Sequence, residues 1–386
     1  MTTTRTELTA GGRDSAPAAG APAVDRRTFL RLTATLSLVA GAPARAGAQN
    51  AAAPADSLPD ATARRLPRWR GFNLLAKFTL GRNRPFRERD FALIAEWGLN
   101  FARLPMDYRC WTPAPGERQH DPRALAEIDQ AVDWGRQYGV HVSLNFHRAP
   151  GYCVNPPAEP LDLWQAQEAQ DLFAWHWSEF AARYRGIPSR RLSFNLVNEP
   201  AEIEPATYVQ AVRPAVSAIR DADPDRLIIA DGIRWGTVPV PDLAELGVAQ
   251  STRGYQPTRI SHYRASWMSG SNDWPEPTWP LVEESGKRWD RATLRDEFIR
   301  PWQQLQNSGV GVHVGEWGAY QQTPHGVVLA WMRDQLELWR EAGFGWALWN
   351  LDGSFGVLNS GRADVAYEEF RGAKLDRAML ELLLSL

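Results

Sequence analysis

From Arg68 to the C-terminus, short apolar runs alternate with segments of helical periodicity, and no low-complexity linker divides them. Apolar runs of four to eight residues suit buried strands, and longer stretches with a period near 3.6 suit amphipathic helices. Strands are expected over 70–73, 99–104, 140–146, 192–197, 227–230, 259–263, 310–314 and 345–349. Helical patterns cover 87–97, 122–138, 165–184, 205–220, 292–307 and 325–342, with only a weak one after the fifth strand, near 241–246. Gly98, Gly139, Gly309 and Gly343 follow four of these helices, where a left-handed C-cap favours glycine. Eight strands with interleaved helices over about 310 residues predict an α/β fold, a single (β/α)8 TIM barrel. An open doubly wound sheet would carry a glycine-rich phosphate loop after a strand, and no strand here is followed by one.

The N-terminus reads differently. Residues 1–24 are rich in Thr, Ala, Gly and Pro without periodicity, and Asp25-Arg26-Arg27-Thr28-Phe29-Leu30-Arg31 precedes a weakly apolar run over 34–42. Ala44-Arg45-Ala46 and Ala46-Gly47-Ala48 supply small-residue cleavage sites. In that order these features resemble a twin-arginine export signal over 1–46, which implies a periplasmic or extracellular protein. The apolar run is too short to span a bilayer, so no integral membrane segment is expected in the mature chain. Residues 47–66, rich in Ala and Pro, read as a linker, and residues 67–386 as the barrel domain.

Composition narrows the partners. With a net charge of −2 and no basic stripe, nucleic acid is not expected as a ligand. No heptad pattern or broad apolar helix face calls for a second subunit, which leaves the oligomeric state open. The chain holds 18 tryptophans, some of them in a long irregular stretch after the sixth expected strand, with Trp267, Trp274, Trp279 and Trp289. Long loops of this kind are often functional, and exposed indoles suit stacking on sugar faces, whereas buried ones pack the helix layer. Cys110 and Cys153, the two cysteines, each follow a strand, which allows either one disulfide between two loops or two free thiols. His141 and His147 share a strand face about 20 Å apart, too far to hold one ion, and neither a metal nor a cofactor is expected.

Two stretches carry the chemistry. Arg191-Leu-Ser-Phe-Asn-Leu-Val-Asn198-Glu199-Pro200 is a strand closed by Pro200, and Val310-Gly-Val-His-Val-Gly-Glu316-Trp317-Gly318 repeats the design. Each sets a glutamate at a strand's C-terminal tip, the rim where barrel enzymes keep their reactive groups. Other tips add Arg103, His147, the pair His262 and Tyr263, and Trp349. Two carboxylates of opposed protonation, one donating a proton and one attacking the anomeric carbon, are what glycoside cleavage needs.

This set of strand tips resembles the family 5 glycoside hydrolases, cellulase-like retaining enzymes, from about Arg70 to Trp349. The resemblance implies Glu199 as acid/base and Glu316 as nucleophile. It implies Asn198 at the sugar 2-hydroxyl, with Arg103 and Tyr263 holding the nucleophile ionised and aimed. His147 and His262 would line the glycone subsite, His262 near the acid/base, and Trp349 would floor it. The carbohydrate expected is a β-linked polysaccharide or oligosaccharide. Arg148, the segment Ala-Pro-Gly-Tyr152-Cys153 and Asp352 depart from a generic cellulase and would narrow the subsites toward a particular sugar or toward exo action. The alternatives are an exo-glycosidase or transglycosylase on side-chain sugars, and a carbohydrate-binding barrel without turnover.

Overall fold

In the computed structural model, which describes residues 58–114 and 116–386, eight parallel strands close into one barrel. They are β1 (Arg70–Asn73), β2 (Phe101–Asp107), β3 (His141–Arg148), β4 (Leu192–Asn195), β5 (Leu227–Asp231), β6 (Ala249–Gly254), β7 (Val312–Trp317) and β8 (Gly345–Leu348). Each strand pairs with the next, and β8 returns to β1 through Arg70↔Trp346 and Phe72↔Leu348. Helices fill the connections, among them Glu88–Glu96, Pro122–Tyr138, Gln167–Arg183, Pro205–Ala222 and His325–Ala342. Gly139 and Gly343 end two of them in the left-handed conformation, with φ of 66° and 73°.

The sixth strand is a correction. It lies at Ala249–Gly254, whereas 259–263 falls in and just after a helical turn, Thr258–Ser261, that starts behind Pro257. The true strand reads Ala-Gln-Ser-Thr-Arg-Gly, with no apolar run to mark it. Its polar side chains are buried and paired instead: Gln250 bonds both backbone groups of Val240, and the Thr252 hydroxyl donates to the Gly236 carbonyl.

Inside the barrel the layers change character with height. At the N-terminal end Trp69, Phe101, Leu227, Ile229, Ala249 and Ala347 form an apolar cluster. Leu66 and Ala61 close that cluster from below, and the Ala63 carbonyl accepts from the Gly311 N–H at 2.7 Å. The expected linker 47–66 is therefore too long. Its residues 58–66 are a packed plug, with Leu58, Ala61 and Leu66 buried, because an open barrel end would leave this cluster wet. The rest of it, 47–57, and the expected export signal lie outside the described residues. Toward the C-terminal end the inward positions become Asn73, Arg103, Asn145, Asn195, Asp231 and Arg253, all buried.

The segment after β6 is long and aromatic. Trp279 donates to Asp334 at 2.8 Å, Trp289 stacks on Phe298 at 5.7 Å, and Trp274 lies against Arg259. Trp267, by contrast, is 56% exposed. Beyond β8 a hairpin, Glu368–Phe370 with Ala373–Leu375, leads to the helix Arg377–Ser385, whose Met379, Leu380 and Leu383 are buried. Cys110 and Cys153 are free thiols, which excludes the disulfide alternative; their sulfurs contact the carbonyls of Lys77 and His147.

Candidate active site

Glu316 owes its aim to a one-residue bulge. Thr252 pairs with Val314 and Arg253 with Glu316, while Trp346 pairs with Val314 and Leu348 with Trp317. Both neighbours thus skip one residue of β7. An extra residue breaks the in–out alternation, so Gly315 and Glu316 both face the barrel interior. Only glycine fits at 315: a Cβ there would sit 2.4 Å from Ser251 Oγ and 2.9 Å from Arg253 Nη1.

Around Glu316 the polar layer is dense. Arg103 Nη1 donates to its Oε1 at 2.5 Å, Arg253 Nη2 lies 3.5 Å from the same oxygen, and the Tyr255 hydroxyl donates to Oε2 at 3.1 Å. Arg103 is itself fixed by Asn73, Asn195 and Asn198, whose side-chain oxygens accept at 3.0, 2.9 and 2.9 Å. Burial and the charges of Glu316 and Glu199 push the Tyr255 phenol well above its ordinary value, so it remains a donor.

Glu199 sits across the same arginine. Arg253 Nε donates to its Oε1 at 3.0 Å, and the side chain is 14% exposed. Its backbone is in the left-handed region, with φ of 49°, a strained conformation for a residue with a side chain. Two neighbours hold it there. The Glu199 N–H donates to Asp231 Oδ2 at 2.9 Å, and its carbonyl accepts from the Tyr152 hydroxyl at 2.7 Å. Tyr152 also accepts from the Ala201 N–H at 2.9 Å, spanning the turn. Desolvation, then the charge of Glu316, raises the Glu199 carboxyl to about 8, against the lowering effect of Arg253.

Asp231 completes the group: its carboxylate pairs with Arg253 and accepts from Asn195 Nδ2 at 2.9 Å. Asn198 Oδ1 accepts from Arg103 and Arg253, both at 2.9 Å, and its buried Nδ2 has no partner among the described residues. The same holds for Nδ1 of His147. Burial and the two arginines depress the His147 imidazole well below its usual value, which keeps it neutral. His147 lies 5.7 Å from Trp349, nearly parallel, and Phe78 meets both rings edge-on at 4.5 and 5.2 Å.

The structure thus brings together Glu199, Glu316, Arg103, Asn198, His147 and Trp349. It does not place Tyr263 there: that ring is buried under Arg264, and Tyr255 is the phenol bonded to Glu316. His262 is likewise not at Glu199. It packs edge-on against Tyr255 at 5.2 Å, shares a 2.7 Å hydrogen bond with Ser261, and faces Trp267 and Phe355. Both corrections follow from the shifted sixth strand. Arg253, Asp231 and Tyr255 were not anticipated; the signal available was the pattern Ser251-Thr-Arg253-Gly-Tyr255, whose odd positions face one side. Asp352 is engaged by Arg87 at 3.0 Å and Asn359 at 2.9 Å. Arg148 pins the segment after β3 through Glu159 at 2.6 Å and the Asn155 carbonyl at 2.8 Å. Trp235, 46% exposed, is tied to the turn after Glu199 by its N–H on the Pro200 carbonyl at 3.0 Å. Among the described residues no cluster of three or more His, Cys, Asp or Glu is arranged to hold a metal.

The chain was also compared with known proteins for family and fold. The family model described as Cellulase (glycosyl hydrolase family 5) matches residues 60–354. A crystal structure titled as that of a glycoside hydrolase superposes with a TM-score of 0.78 at 40% identity, covering 82% of this chain and 99% of its own. Endoglucanase C of Acetivibrio thermocellus is 23% identical over 306 residues, 73% of this chain and 88% of the relative. A probable glucan 1,3-beta-glucosidase A of Emericella nidulans is 44% identical over 117 residues, 29% of this chain and 28% of the relative. The protein is a glycoside hydrolase built on an eight-stranded barrel. Within that class, the chain belongs to glycosyl hydrolase family 5.

Proposed function

We propose that the protein cleaves β-linked glucan chains with retention of configuration, Glu199 acting as acid/base and Glu316 as nucleophile. The observation that carries this is a charge balance. Arg103 and Arg253 face three carboxyls; Asp231 and Glu316 take the short ion pairs that neutralise them, which leaves Glu199 to hold its proton. One group is therefore poised to attack and the other to donate. Glu316 Oε2 bonds to the anomeric carbon as the glycosidic C–O bond breaks, and the Glu199 proton passes to the leaving oxygen. Glu199, now a carboxylate, takes a proton from water as its oxygen displaces Glu316. The guanidinium that reaches both glutamates supports the short carboxyl separation of retaining enzymes, about 5 Å, over the wider gap that admits a water in inverting ones.

Asn198 Nδ2 and His147 Nδ1 are buried groups open to hydroxyls of the glycone, and Trp349 supplies an apolar face beneath it. Trp235, beside the turn after Glu199, and Trp267, beside His262, are exposed indoles that suit stacking on further sugars. The relatives named for endoglucanase activity favour an internal cut. An exo-acting glucosidase is the second reading, favoured by the stretch shared with the glucan 1,3-beta-glucosidase and by the pinned segment beside His147. Non-catalytic binding is disfavoured, since both glutamates and their partners are in place. We also propose export by the twin-arginine route, on Arg26 and Arg27 and the residues after them.

Product release from β-1,4- and β-1,3-glucans, mannan, xylan and 4-nitrophenyl glycosides tests the activity, with Glu316→Ala beside it. Glucan cleavage lost in the variant, with a β-anomer formed first by proton NMR, is expected. A first-formed α-anomer refutes retention, and equal activity in the variant refutes the assignment. Replacing Arg26 and Arg27 by lysine should retain the protein in the cytoplasm; undiminished export refutes that route.

A further inference from the structure

The arginine between the two glutamates does something that a histidine beside an acid/base does not. An imidazole donates or accepts and changes charge near neutrality, whereas a guanidinium only donates and stays charged. Arg253 Nε donates to Oε1 of Glu199 at 3.0 Å, so a proton on that oxygen would face another proton. The Arg253 side chain has no latitude to turn away. Its Nη1 donates to Ser251 Oγ at 3.0 Å and its own Thr252 carbonyl at 3.1 Å, and its Nη2 donates to Asn198 at 2.9 Å and to Asp231. A Cβ at Gly236 would lie 2.7 Å from Arg253 Cγ, which marks how closely the β5–β6 connection packs on the stem.

We propose that Arg253 is a positioning residue that confines the catalytic proton of Glu199 to Oε2 and, together with Asp231, sets how tightly that proton is held. The proposal rests on Glu199 being the acid. Confinement matters because one carboxyl oxygen must be the donor toward the leaving group while the other is anchored. The pairing with Asp231 matters because a guanidinium committed wholly to Glu199 would strip the acid of its proton. Dividing the charge between the two leaves Glu199 protonated yet ready to ionise once Glu316 is esterified and its negative charge is gone.

The other charged and titratable groups facing this pair include Glu316 on β7, Arg103 on β2, His147 at the end of β3, Tyr255 after β6, Tyr152, whose hydroxyl donates to the Glu199 carbonyl, and Tyr208, whose hydroxyl donates to the Asp231 carbonyl. None of them contacts Glu199 Oε1 by a hydrogen bond among the described residues. Behind the larger effects of burial and the Glu316 charge, Arg253, which donates to the Glu199 carboxyl, and Asp231, which accepts from the Glu199 N–H, act in opposite directions. That opposition separates a tuning role from a structural one.

The test needs no substrate. Side-chain 13C-labelled glutamate is introduced into the full-length protein, Glu199→Gln identifies the Glu199 carboxyl signal, and its chemical shift is followed with pH. Arg253→Met should move the midpoint up and Asp231→Asn should move it down, each by about one pH unit or more. Arg253→Lys, which keeps the charge, should stay close to wild type. A midpoint that stays put in Arg253→Met, or that moves the same way in both variants, overturns the proposal. Should Arg253→Met not fold, Asp231→Asn and Arg253→Lys still decide: a wild-type midpoint in Asp231→Asn overturns it. Full hydrolysis by Glu199→Gln would instead bring down the assignment of the acid, a different failure with a different readout.

Discussion

Replacing Tyr255 by phenylalanine removes one hydroxyl from a site that otherwise stays whole. The phenol donates to Glu316 Oε2 at 3.1 Å, while Arg103 and Arg253 both act on Oε1, so the variant keeps the charge partners of Glu316, the proposed nucleophile. What it loses is the restraint on the second oxygen, the one free to attack. A hydrogen bond to a charged group contributes about 1.5–3 kcal/mol. If that bond serves only to hold the reactive geometry, kcat falls by about 10- to 150-fold, since 1.36 kcal/mol is a factor of ten. KM should change little, because the sugar is held by other groups. Steady-state kinetics on the best glucan of the substrate panel measures this, with Tyr263→Phe as the comparison. The Tyr263 ring is 2% exposed and packs beside Arg264 at 5.0 Å, remote from the carboxylates' hydrogen bonds, so its variant should keep kcat within about twofold. A large loss in Tyr263→Phe with a near-normal Tyr255→Phe would refute the placement of β6 and the geometry that follows from it.

Other outcomes follow from the same contacts. The raised Glu199 carboxyl must be protonated to act, so kcat/KM should fall as pH rises through about 8 and should not be limited by this group at lower pH; an alkaline limb near 6 in the pH–rate profile contradicts it. Gly71→Ala drives a Cβ to 1.8 Å from the Phe101 carbonyl oxygen, a backbone clash, and should cost about 3 kcal/mol or more in denaturant unfolding. Gly326→Ala meets open space at the start of a helix and should stabilise by about 0.5 kcal/mol; a loss there comparable to Gly71→Ala would contradict the account. Because Cys110 and Cys153 are free, adding dithiothreitol should leave Tm unchanged, and a drop of several degrees would point to a disulfide.

How the residues were legible depends on where the information sits. Glu199 and Glu316 stand out locally: an apolar run, a carboxylate, then a proline or glycine is a pattern contained in ten residues. Arg103, His147 and Trp349 stand out for the same reason, each at the end of a run that reads as a strand. At β6 the local signal inverts. Ala249–Gly254 is polar yet wholly buried, because inward side chains near the top of a barrel face a polar layer and outward ones here bond to loop backbone. Residues 259–263 carry isoleucine, histidine and tyrosine and look more strand-like, although Pro257 opens a helical turn before them.

The sequence by itself determined the number and order of the layers and the two glutamates, since periodicity and strand-end residues are properties of neighbours along the chain. Tertiary structure decided the remainder. Glu316 points inward only because β7 carries a bulge relative to both neighbours, and that register exists only once the strands pair. Whether residues 58–66 are tether or plug depends on an apolar barrel end assembled from β2, β5, β6 and β8. The protonation of Glu199 rests on Arg253, Asp231 and Glu316, drawn from three strands, and charge interactions fall off with distance through space rather than along the chain. A carboxylate can be read from a sequence; the charge it carries is set by what the fold puts next to it.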